Sequence, residues 1–459
     1  MPRAASETII AVSTPPGYGG IGVVRISGPK ALAVAARVFR TPKKHATTFP
    51  VRRPVVGRLF DFEKKEDLDE AVLTYFPAPH SYTREDVVEI SCHGSPVILE
   101  EAVRLGAKYG AREAHPGEFT LRAYLGGRID LLQAEAVDDL IRAATLAQAR
   151  ISSRQLAGSL SAKVGRLRES LVGLLARLEA GIEFPDEALG VSRESTAAAL
   201  NAVRDEVEEL VTSYDVGRAL GQGLTLAIVG RPNVGKSTLF NALLGEERAI
   251  VTPFPGTTRD FLRERMVLRN AVFNLVDMAG LSRPSHPVER KGVEKGRRIA
   301  READGLLVVF DGSRPLTQAD LRLLEDYRGK KAILILNKAD LKPRAVKSAA
   351  RALRPPRPIV DVSALYHTNL ERLRETIFRT FVPEAGNREE ILLHARQKHV
   401  LSGVLEALRR SADLLEAGHP DEVCAEEVKT ALTLFGQLTG EVRAQEVIED
   451  IFRRFCVGK

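Results

Sequence analysis

A phosphate-binding pattern lies in the middle of the chain, where residues 230–237 read GRPNVGKS and match GxxxxGKS/T. It follows the apolar run TLAIVG and precedes STLFNALLG. In that strand-to-helix context, glycines let backbone N–H groups surround phosphates. Lys236 would place its charge on the β- and γ-phosphates, and the Ser237 hydroxyl would hold Mg²⁺. A nucleoside triphosphate site is predicted, with contacts from Asn233, Val234, Gly235, Lys236, Ser237 and Thr238.

A second pattern would select the base. Asn337, Lys338, Ala339 and Asp340 stand at the end of the apolar run AILILN. The Asp340 carboxylate would accept hydrogen bonds from guanine N1–H and the exocyclic amine, whereas adenine offers no such pair of donors. A guanine loop is completed after the next apolar run by Ser363, Ala364 and Leu365. GTP is therefore the predicted nucleotide.

Two further segments would sense the γ-phosphate. One follows the run VFNLVD and consists of Asp277, Met278, Ala279 and Gly280. The other is the polar loop GTTRD at 256–260, in which Thr258 is the expected second Mg²⁺ ligand. Together the segments predict hydrolysis of GTP. The position after Gly280 holds Leu281, not the glutamine that orients water in Ras-type enzymes, so another residue must do so. Glu289 is the acidic candidate, and a solvated surface glutamate is the plainer alternative.

Short apolar runs between helical patterns would position these residues. They recur through 224–366 and predict a doubly wound, mostly parallel α/β sheet. Helical patterns flank this stretch at 130–182, 195–213 and after 385, which favours an α/β domain inserted into one helical domain. The apolar stripe from Leu156 to Ile182 predicts one amphipathic helix of a bundle core, with a partner-binding helix as the alternative. Residues 1–120 carry short β-like runs and predict an α+β domain.

Composition is that of an ordinary globular chain. The 459 residues include 67 Lys+Arg and 60 Asp+Glu, a net charge of +7, with 44% hydrophobic residues. This balance excludes intrinsic disorder and permits a nucleic-acid partner without requiring one. Three cysteines without CxxC spacing disfavour zinc and disulfides. No signal peptide is visible and no run approaches the roughly 18 apolar residues of a membrane span, so a cytoplasmic protein is expected.

The motifs as a set resemble those of the tRNA-modification GTPases of the MnmE (TrmE) family. The resemblance rests on GRPNVGKST, TPFPGTTRD, NKAD, the segments TPPGYGGIGVVRISG, SYTREDVVEISCHG and HPGEFTLRAYLGGRIDLLQAEAV, and the final FCVGK. It spans the whole chain. It implies an N-terminal α+β folate-binding and dimerisation domain at 1–121 and a helical domain in two segments, 122–219 and 381–459. A Ras-like G domain would occupy 220–380.

The resemblance also implies a reaction and partners. Members of this family act with an FAD-dependent partner, MnmG (GidA), so that FAD enters only through that protein. The pair adds an aminomethyl or carboxymethylaminomethyl group to C5 of the wobble uridine of certain tRNAs. A 5-formyl- or methylene-tetrahydrofolate derivative supplies one carbon. Homodimers form through the N-terminal domains, the G domains pair when GTP is hydrolysed, and K⁺ sits where an arginine finger would sit.

Residue roles follow from the same resemblance. The nucleotide contacts would extend over Thr252, Pro253, Phe254, Pro255, Gly256, Thr257 and Thr258. The K⁺ ligands would be Asn233, Thr252, the backbone carbonyl of Phe254, and Thr257. Glu289 would orient the attacking water, with Lys236 as the second catalytic residue. The folate contacts would be Arg25, Glu89, Arg128 and Lys459.

Some positions depart from the family pattern or leave alternatives open. DMAG replaces DTAG, and Arg128 replaces a common lysine. Cys456 is either a plain thiol or a group acting near the uridine, whereas His93 and His115 favour structural roles. Two other functions are weighed: a GTP-dependent RNA-binding switch in ribosome assembly, and a folate enzyme regulated by GTP. The N-terminal block and CVGK favour tRNA modification over the assembly switch, for which no KH or OB module is readable.

Overall fold

The structure is a computed structural model that describes residues 7–41, 48–183, 192–245, 263–277, 296, 298–342, 357–383, 390–442 and 445–459. The chain forms two compact units. The first comprises Met1–Asp138, Gln155–Gly165 and Phe435–Lys459, and the second comprises Asp139–Arg154 and Arg166–Leu434. The domain boundaries drawn from the sequence stay predictions.

The first unit is built on a seven-stranded sheet in the order β3-β4-β5-β6-β2-β1-β7. All neighbouring strands are antiparallel except β1 and β7, which are parallel. The strands are β1 (Ile9–Val12), β2 (Gly19–Ser27), β3 (Phe39–Arg40), β4 (Val55–Asp61), β5 (Glu66–Phe76), β6 (Val87–Gly94) and β7 (Arg112–Glu113). Two helices, α1 (Ala31–Ala35) and α2 (Pro96–Lys108), supply apolar side chains to the core that covers this sheet.

A second core of this unit joins helices from opposite ends of the chain. The helices are α3 (Glu118–Leu125), α4 (Leu131–Ile141) and the last one, α13 (Gln445–Arg453). Tyr124, Leu131, Phe452 and Phe455 are buried together there. Because burying large apolar side chains is the main favourable term in folding, this core fixes the end of the chain against α3.

The second unit contains a six-stranded α/β sheet in the order β13-β12-β11-β8-β10-β9. It is parallel except for the edge strand β9, which is antiparallel to β10. Its strands are β8 (Leu224–Val229), β9 (Arg263–Leu268), β10 (Ala271–Asp277), β11 (Gly305–Asp311), β12 (Ala332–Asn337) and β13 (Ile359–Asp361). The helices assigned to it are α8 (Lys236–Leu244), α9 (Gln318–Asp326) and α10 (Leu370–Phe381). Buried clusters cover both faces, which confirms the predicted doubly wound sheet.

Long helices flank the α/β sheet in sequence, as predicted. They are α5 (Leu146–Leu156), α6 (Ser159–Glu183), α7 (Arg193–Leu220), α11 (Ala395–Glu416) and α12 (Asp421–Thr439). The single helix predicted from Leu156 is wrong at its start, because Leu156 ends α5 and the chain turns at Gly158, whose φ is +96°. From Leu160 to Leu178 the stripe is buried in α6. None of the described helices combines the length and apolar character that a membrane crossing needs.

The chain enters and leaves the α/β domain at one place. Gln222, just before β8, donates its Nε2–H to the Leu393 carbonyl at 3.3 Å. The Leu392 amide donates to Ser213 Oγ of α7 at 3.0 Å. This backbone lies so close to Gly217 that a Cβ there would meet the Leu392 carbonyl oxygen at 1.9 Å. The two crossings of the chain are therefore tied to the same end of α7.

Candidate nucleotide site and an arginine-lined cavity

The phosphate-binding pattern forms the turn between β8 and α8. Strand β8 ends at Val229 and α8 begins at Lys236, so the free N–H groups of the helix start face the loop. Gly235 has φ +94°, and a Cβ there would lie 2.2 Å from Asn337 Nδ2. Only glycine fits both the backbone and the space, which lets this loop approach the base-recognition strand directly.

Lys236 lies inside this turn. Its side chain is buried and its Nζ donates to the Arg231 carbonyl at 2.9 Å. Burial lowers the pKa of Lys236, and the Asp277 carboxylate opposes that change. Asp277 is itself buried at the end of β10. The geometry brings together a cation for phosphate, the Ser237 hydroxyl at the helix start, and a carboxylate from the neighbouring strand. Such a set suits Mg²⁺, which is bound through few protein groups and the phosphates themselves.

The predicted base-recognition residues also meet at the ends of neighbouring parallel strands. Asn337 links two loops, since its Nδ2–H donates to the Val234 carbonyl at 2.8 Å and its Oδ1 accepts from the Ala364 amide at 3.0 Å. Ser363 donates its hydroxyl to Asp340 Oδ1 at 2.5 Å, which fixes one carboxylate oxygen. These bonds join the NKAD segment, the phosphate loop and the Ser363–Leu365 loop into one rigid site.

Three residues near this site were missed by the sequence reasoning. The first is Asp311, which ends β11 and forms an ion pair with the predicted Lys338 at 2.7 Å, so a polar residue at a strand end was the available signal. Asn241 and His367 line a cavity of about 390 Å³ beside the guanine loop. The other lining residues are Ser237, Thr238, Ala242, Ala364 and Leu365. No motif marked Asn241 or His367.

Several predicted residues lie outside the described residues. They are Thr252, Pro253, Phe254, Pro255, Gly256, Thr257, Thr258, Met278, Ala279, Gly280 and Glu289. Three predictions are therefore untested by the structure. They are the K⁺-binding loop, the second Mg²⁺ ligand and the water-orienting glutamate.

A second candidate site lies in the first unit, on the sheet formed by β2 and β6. Arg25 and Glu89 are direct cross-strand partners, and Arg25 Nη2 lies 2.8 Å from Glu89 Oε1. They line a cavity of about 580 Å³, a size typical of small-molecule sites. The remaining lining residues are Arg52, Phe76, Pro79, His80, Ser81, Tyr82, Arg84, Val87 and Arg128. Three of the four predicted folate residues thus share one cavity.

Tyr82 separates two of the arginines. Arg25 lies 5.3 Å from the centre of the Tyr82 ring and Arg128 lies 4.8 Å from it, both within reach of a cation–π interaction. The Arg128 guanidinium also donates to the Tyr82 carbonyl at 2.9 Å. The Tyr82 hydroxyl pairs with Thr120 Oγ1 at 2.9 Å. The ring therefore holds two like charges at a fixed spacing.

The C-terminal residues reach the same region. The Gly458 carbonyl accepts hydrogen bonds from Ser13 Oγ at 3.1 Å and from Arg25 Nη1 at 3.4 Å. Burial lowers the pKa of Lys459, Arg25 lowers it further, and Glu89 opposes both. Lys459 therefore lies beside the Arg25–Glu89 pair, although nothing in the local sequence brings residue 459 to a strand at 25. Gly458 has φ +94°, and a Cβ there would lie 2.0 Å from the Val12 carbonyl oxygen.

The start of helix α3 is hydrogen-bonded to these C-terminal residues. The Gly117 amide donates to the Cys456 carbonyl at 3.3 Å and the Phe119 amide donates to the Lys459 oxygen at 3.2 Å. Glu118 lies between them in sequence and binds the guanidiniums of Arg112 and Arg122. The structural roles considered above for the two histidines stay predictions. His93 Nδ1 pairs with Asp69 at 2.7 Å, and the His115 amide donates to Glu118 at 2.9 Å.

A doubly wound sheet with a phosphate loop at β8 and a guanine-selective NKAD segment at β12 defines a P-loop GTPase, an enzyme that binds and hydrolyses GTP with Mg²⁺. Comparison with known proteins narrows this class. The family model of the MnmE helical domain matches residues 131–456, and that of the GTP-binding protein TrmE N-terminus matches residues 8–128. The chain belongs to the MnmE family of tRNA modification GTPases.

Full-length relatives agree with this assignment. Proteins described as "tRNA modification GTPase MnmE" are 42% identical over 456 residues in Koribacter versatilis, 41% over 455 in Aquifex aeolicus and 38% over 460 in Bacillus subtilis. Each alignment covers 99% of this chain and 99–100% of the relative. The aligned regions therefore span the segments that form both the nucleotide site and the arginine-lined cavity.

Proposed function

We propose that this protein couples GTP hydrolysis to the addition of an aminomethyl or carboxymethylaminomethyl group at C5 of the wobble uridine in certain tRNAs, a cytoplasmic reaction shared with an FAD-dependent partner of the MnmG type. The observation that supports the proposal is the cavity of about 580 Å³ in the first unit, which lies beside the final CVGK segment. A GTPase acting only as a switch would not need a small-molecule cavity lined by arginines and approached by its own last residues.

The nucleotide half of the proposal assigns each group a physical task. Lys236 and the helix start of α8 bind the phosphates, Ser237 and Thr258 hold Mg²⁺, and Asp340 selects guanine. A K⁺ ion, held by Asn233, Thr252, the Phe254 carbonyl and Thr257, would stabilise charge developing between the β- and γ-phosphates. Glu289 would orient the attacking water, because Leu281 occupies the position at which Ras-type enzymes carry the water-orienting glutamine. Family resemblance supports the K⁺ and Glu289 assignments.

The K⁺ assignment has a direct test. Hydrolysis measured at equal ionic strength should be several-fold faster in KCl than in NaCl, because a K⁺ ion is larger and less tightly hydrated than Na⁺. The variant Asn233→Ala should lose most of that difference. Equal rates in both salts would remove K⁺ from the proposal and leave the GTPase in place.

The one-carbon half places a 5-formyl- or methylene-tetrahydrofolate in the arginine-lined cavity. Glu89 offers a carboxylate for the N–H donors of the pterin ring, and among the described residues its Oε2 accepts no hydrogen bond. Arg128 suits a carboxylate of the glutamate moiety, whereas Arg25 pairs with Glu89 and would hold that carboxylate in place. Lys459, with a lowered pKa, lies beside Arg25 and Glu89. When bound, the folate would supply the carbon that is added to the uridine.

Assembly is the remaining element of the proposal. A homodimer through the N-terminal domains, pairing of G domains during hydrolysis and a hetero-oligomer with the MnmG-type protein all follow from the family resemblance. By the same resemblance, FAD would belong to the partner.

Nucleoside mass spectrometry of bulk tRNA tests the whole proposal. Cells that lack the gene should lose the aminomethyl-type wobble uridines and regain them with the intact gene. Complementation with Lys459→Ala should fail, while the purified variant keeps its GTPase rate. Unchanged nucleosides in the deletion strain, with no second gene copy, would refute tRNA modification and leave a GTPase that acts elsewhere, for example in ribosome assembly.

A further inference from the structure

The arginine-lined cavity carries more positive charge than a folate with one glutamate requires. Four arginines, Arg25, Arg52, Arg84 and Arg128, line the cavity together with a single carboxylate residue, Glu89. Arg25 is already neutralised, because two of its nitrogens lie within 2.9 Å of Glu89 Oε1. Three arginines therefore remain without a carboxylate in the cavity.

Two of these arginines stand at the exposed rim. Arg52 donates one hydrogen bond to the His80 carbonyl at 2.9 Å. Arg84 has no hydrogen-bond or ion-pair partner within the part of the chain that the structure describes. The acidic neighbours of Arg84 do not neutralise it, since Glu85 binds Ser27 and Arg122, and Asp86 accepts from Tyr75.

The backbone at both positions is unusual. Arg52 has φ +54° and Arg84 has φ +62°, in the left-handed region that residues with a Cβ rarely occupy. Residues held in such conformations are concentrated at ligand sites, because strain persists only where something maintains it. Both arginines are exposed and neither has a carboxylate partner among the described residues, so their charges can meet an anionic ligand.

Burial sets the direction in which a ligand would lie. The Arg25 and Glu89 side chains are 14% and 29% exposed, whereas Arg52, Arg84 and Arg128 are exposed residues. A pterin ring paired with Glu89 would therefore occupy the inner part, and its glutamate would point to the rim. Each further γ-linked glutamate adds one carboxylate in that direction, where the unpaired guanidiniums stand.

We propose that Arg52 and Arg84 form a subsite for the poly-γ-glutamate tail of the folate, so that the site prefers polyglutamylated over monoglutamylated tetrahydrofolates. The inference rests on the proposed folate function and adds the substrate form. Exposed charge pairs are individually weak, so several carboxylates on two or three arginines should together improve affinity by roughly tenfold. The preference should decrease with salt, because exposed charges are screened.

Equilibrium binding of 5-formyltetrahydrofolate carrying one or five glutamates to the full-length protein tests the proposal. The ratio of the two dissociation constants should be roughly ten at low salt in the unaltered protein. It should fall toward one in the double variant Arg52→Gln/Arg84→Gln, with a smaller change in monoglutamate affinity. Lys65→Gln is the matched control, because Lys65 is an exposed cation with φ +57° outside the cavity lining and should leave the ratio unchanged.

Each outcome decides a different point. Equal binding of both forms by the unaltered protein overturns the tail subsite and leaves the folate site in place. Failure of both forms to bind overturns the folate proposal and the subsite with it. A tenfold preference that survives the double variant, or that Lys65→Gln also removes, overturns the assignment to Arg52 and Arg84. If the double variant loses monoglutamate binding, the single variants decide, and each should lose part of the preference.

Discussion

The nucleotide site and the arginine-lined cavity are built from different parts of the polypeptide. In the nucleotide site the backbone makes the surface: a left-handed Gly235, a helix start at Lys236, and Asn337 bonded to the main chain at Val234 and Ala364. In the cavity, side chains from distant segments make the surface, with guanidiniums spaced by an aromatic ring. The first site offers fixed dipoles, and the second offers adjustable charges.

This difference has consequences for recognition and for mutation. Backbone groups bind the phosphates that all nucleotides share and leave the choice of base to one carboxylate, Asp340. Long charged side chains can follow ligands of varying length, at the expense of precise geometry. A Cβ in the wrong place should therefore damage the first site most, whereas loss of charge should damage the second.

Gly235→Ala should have the largest effect. Its Cβ would meet Asn337 Nδ2 at 2.2 Å and its backbone would be strained at φ +94°. Strain of about 1–3 kcal/mol and displacement of the Asn337 hydrogen bonds should together weaken GTP binding by about a thousandfold. Titration with a fluorescent GTP analogue measures this loss of affinity. The control Gly173→Ala lies in α6 with no atom within 4 Å of the new Cβ and should leave binding intact. Comparable affinity in both variants would contradict the backbone origin of the site.

Glu118→Gln should have the next largest effect, on stability of the first unit. Burial raises the pKa of Glu118, but hydrogen bonds from Arg112, the His115 amide and Arg122 outweigh it and hold the pKa at about 2, below the ordinary 4.5. Because the pKa is lower in the folded state than in the unfolded chain, the ionised carboxylate stabilises the fold at pH values above about 4.5. This stabilisation is lost as the pH falls from about 4.5 toward 2.

That shift corresponds to about 3 kcal/mol at neutral pH. Denaturant unfolding of the protein from pH 7 to pH 2 should show the loss in that acid window. Glu118→Gln should be less stable at pH 7 and should lose less stability across the window. An acid dependence unchanged by the substitution would place the responsible carboxyl elsewhere.

Gly458→Ala should have an intermediate effect confined to the C-terminal segment. The new Cβ would meet the Val12 carbonyl oxygen at 2.0 Å, so the segment must move away from β1. Folding should lose about 2 kcal/mol or less, because an end segment can relax. Wobble-uridine modification should fall more than the GTPase rate, which should stay unchanged. A parallel loss of both activities would contradict a separate role for this segment.

Tyr82→Phe should have the smallest effect. The ring that separates Arg25 from Arg128 is kept, and only the hydroxyl pairing with Thr120 is lost, at about 1 kcal/mol. Folate affinity should change less than about fivefold. Tyr82→Leu removes the ring as well and should weaken folate binding further. If the two variants bind alike, the aromatic spacer has no part in holding the arginines.

The two sites also differ in how far their residues could be predicted. GRPNVGKS, NKAD and Ser363–Leu365 come together because the ends of parallel strands meet at one edge of a sheet, and spacing alone shows that. Asn241 and His367 were missed because no motif marks them. The start of the helix at Leu156 was mispredicted, since the apolar spacing continues unbroken across Gly158 while the backbone there turns left-handed.

The cavity could not be assembled from residue patterns. Arg25 and Glu89 are cross-strand partners, a relation set by the register of β2 and β6. Lys459 reaches them because the buried core of Tyr124, Leu131 and Phe452 returns the last helix to the first unit. Family resemblance supplied these residues, and the same resemblance was silent on Arg52 and Arg84. Their positions depend on loop backbone conformations that sequence patterns do not encode.

The shared entry and exit of the α/β domain bear on how such a protein can be built by gene fusion. Gln222 contacts Leu393 directly, and the segments that enter and leave the α/β domain both lie at the end of α7. The two attachment points of the domain are therefore neighbours. A foreign domain whose own termini lie close together can occupy such a gap without parting α7 from α11, which pack side by side. A different domain with neighbouring termini should therefore be able to replace the α/β domain without a change in the helical segments.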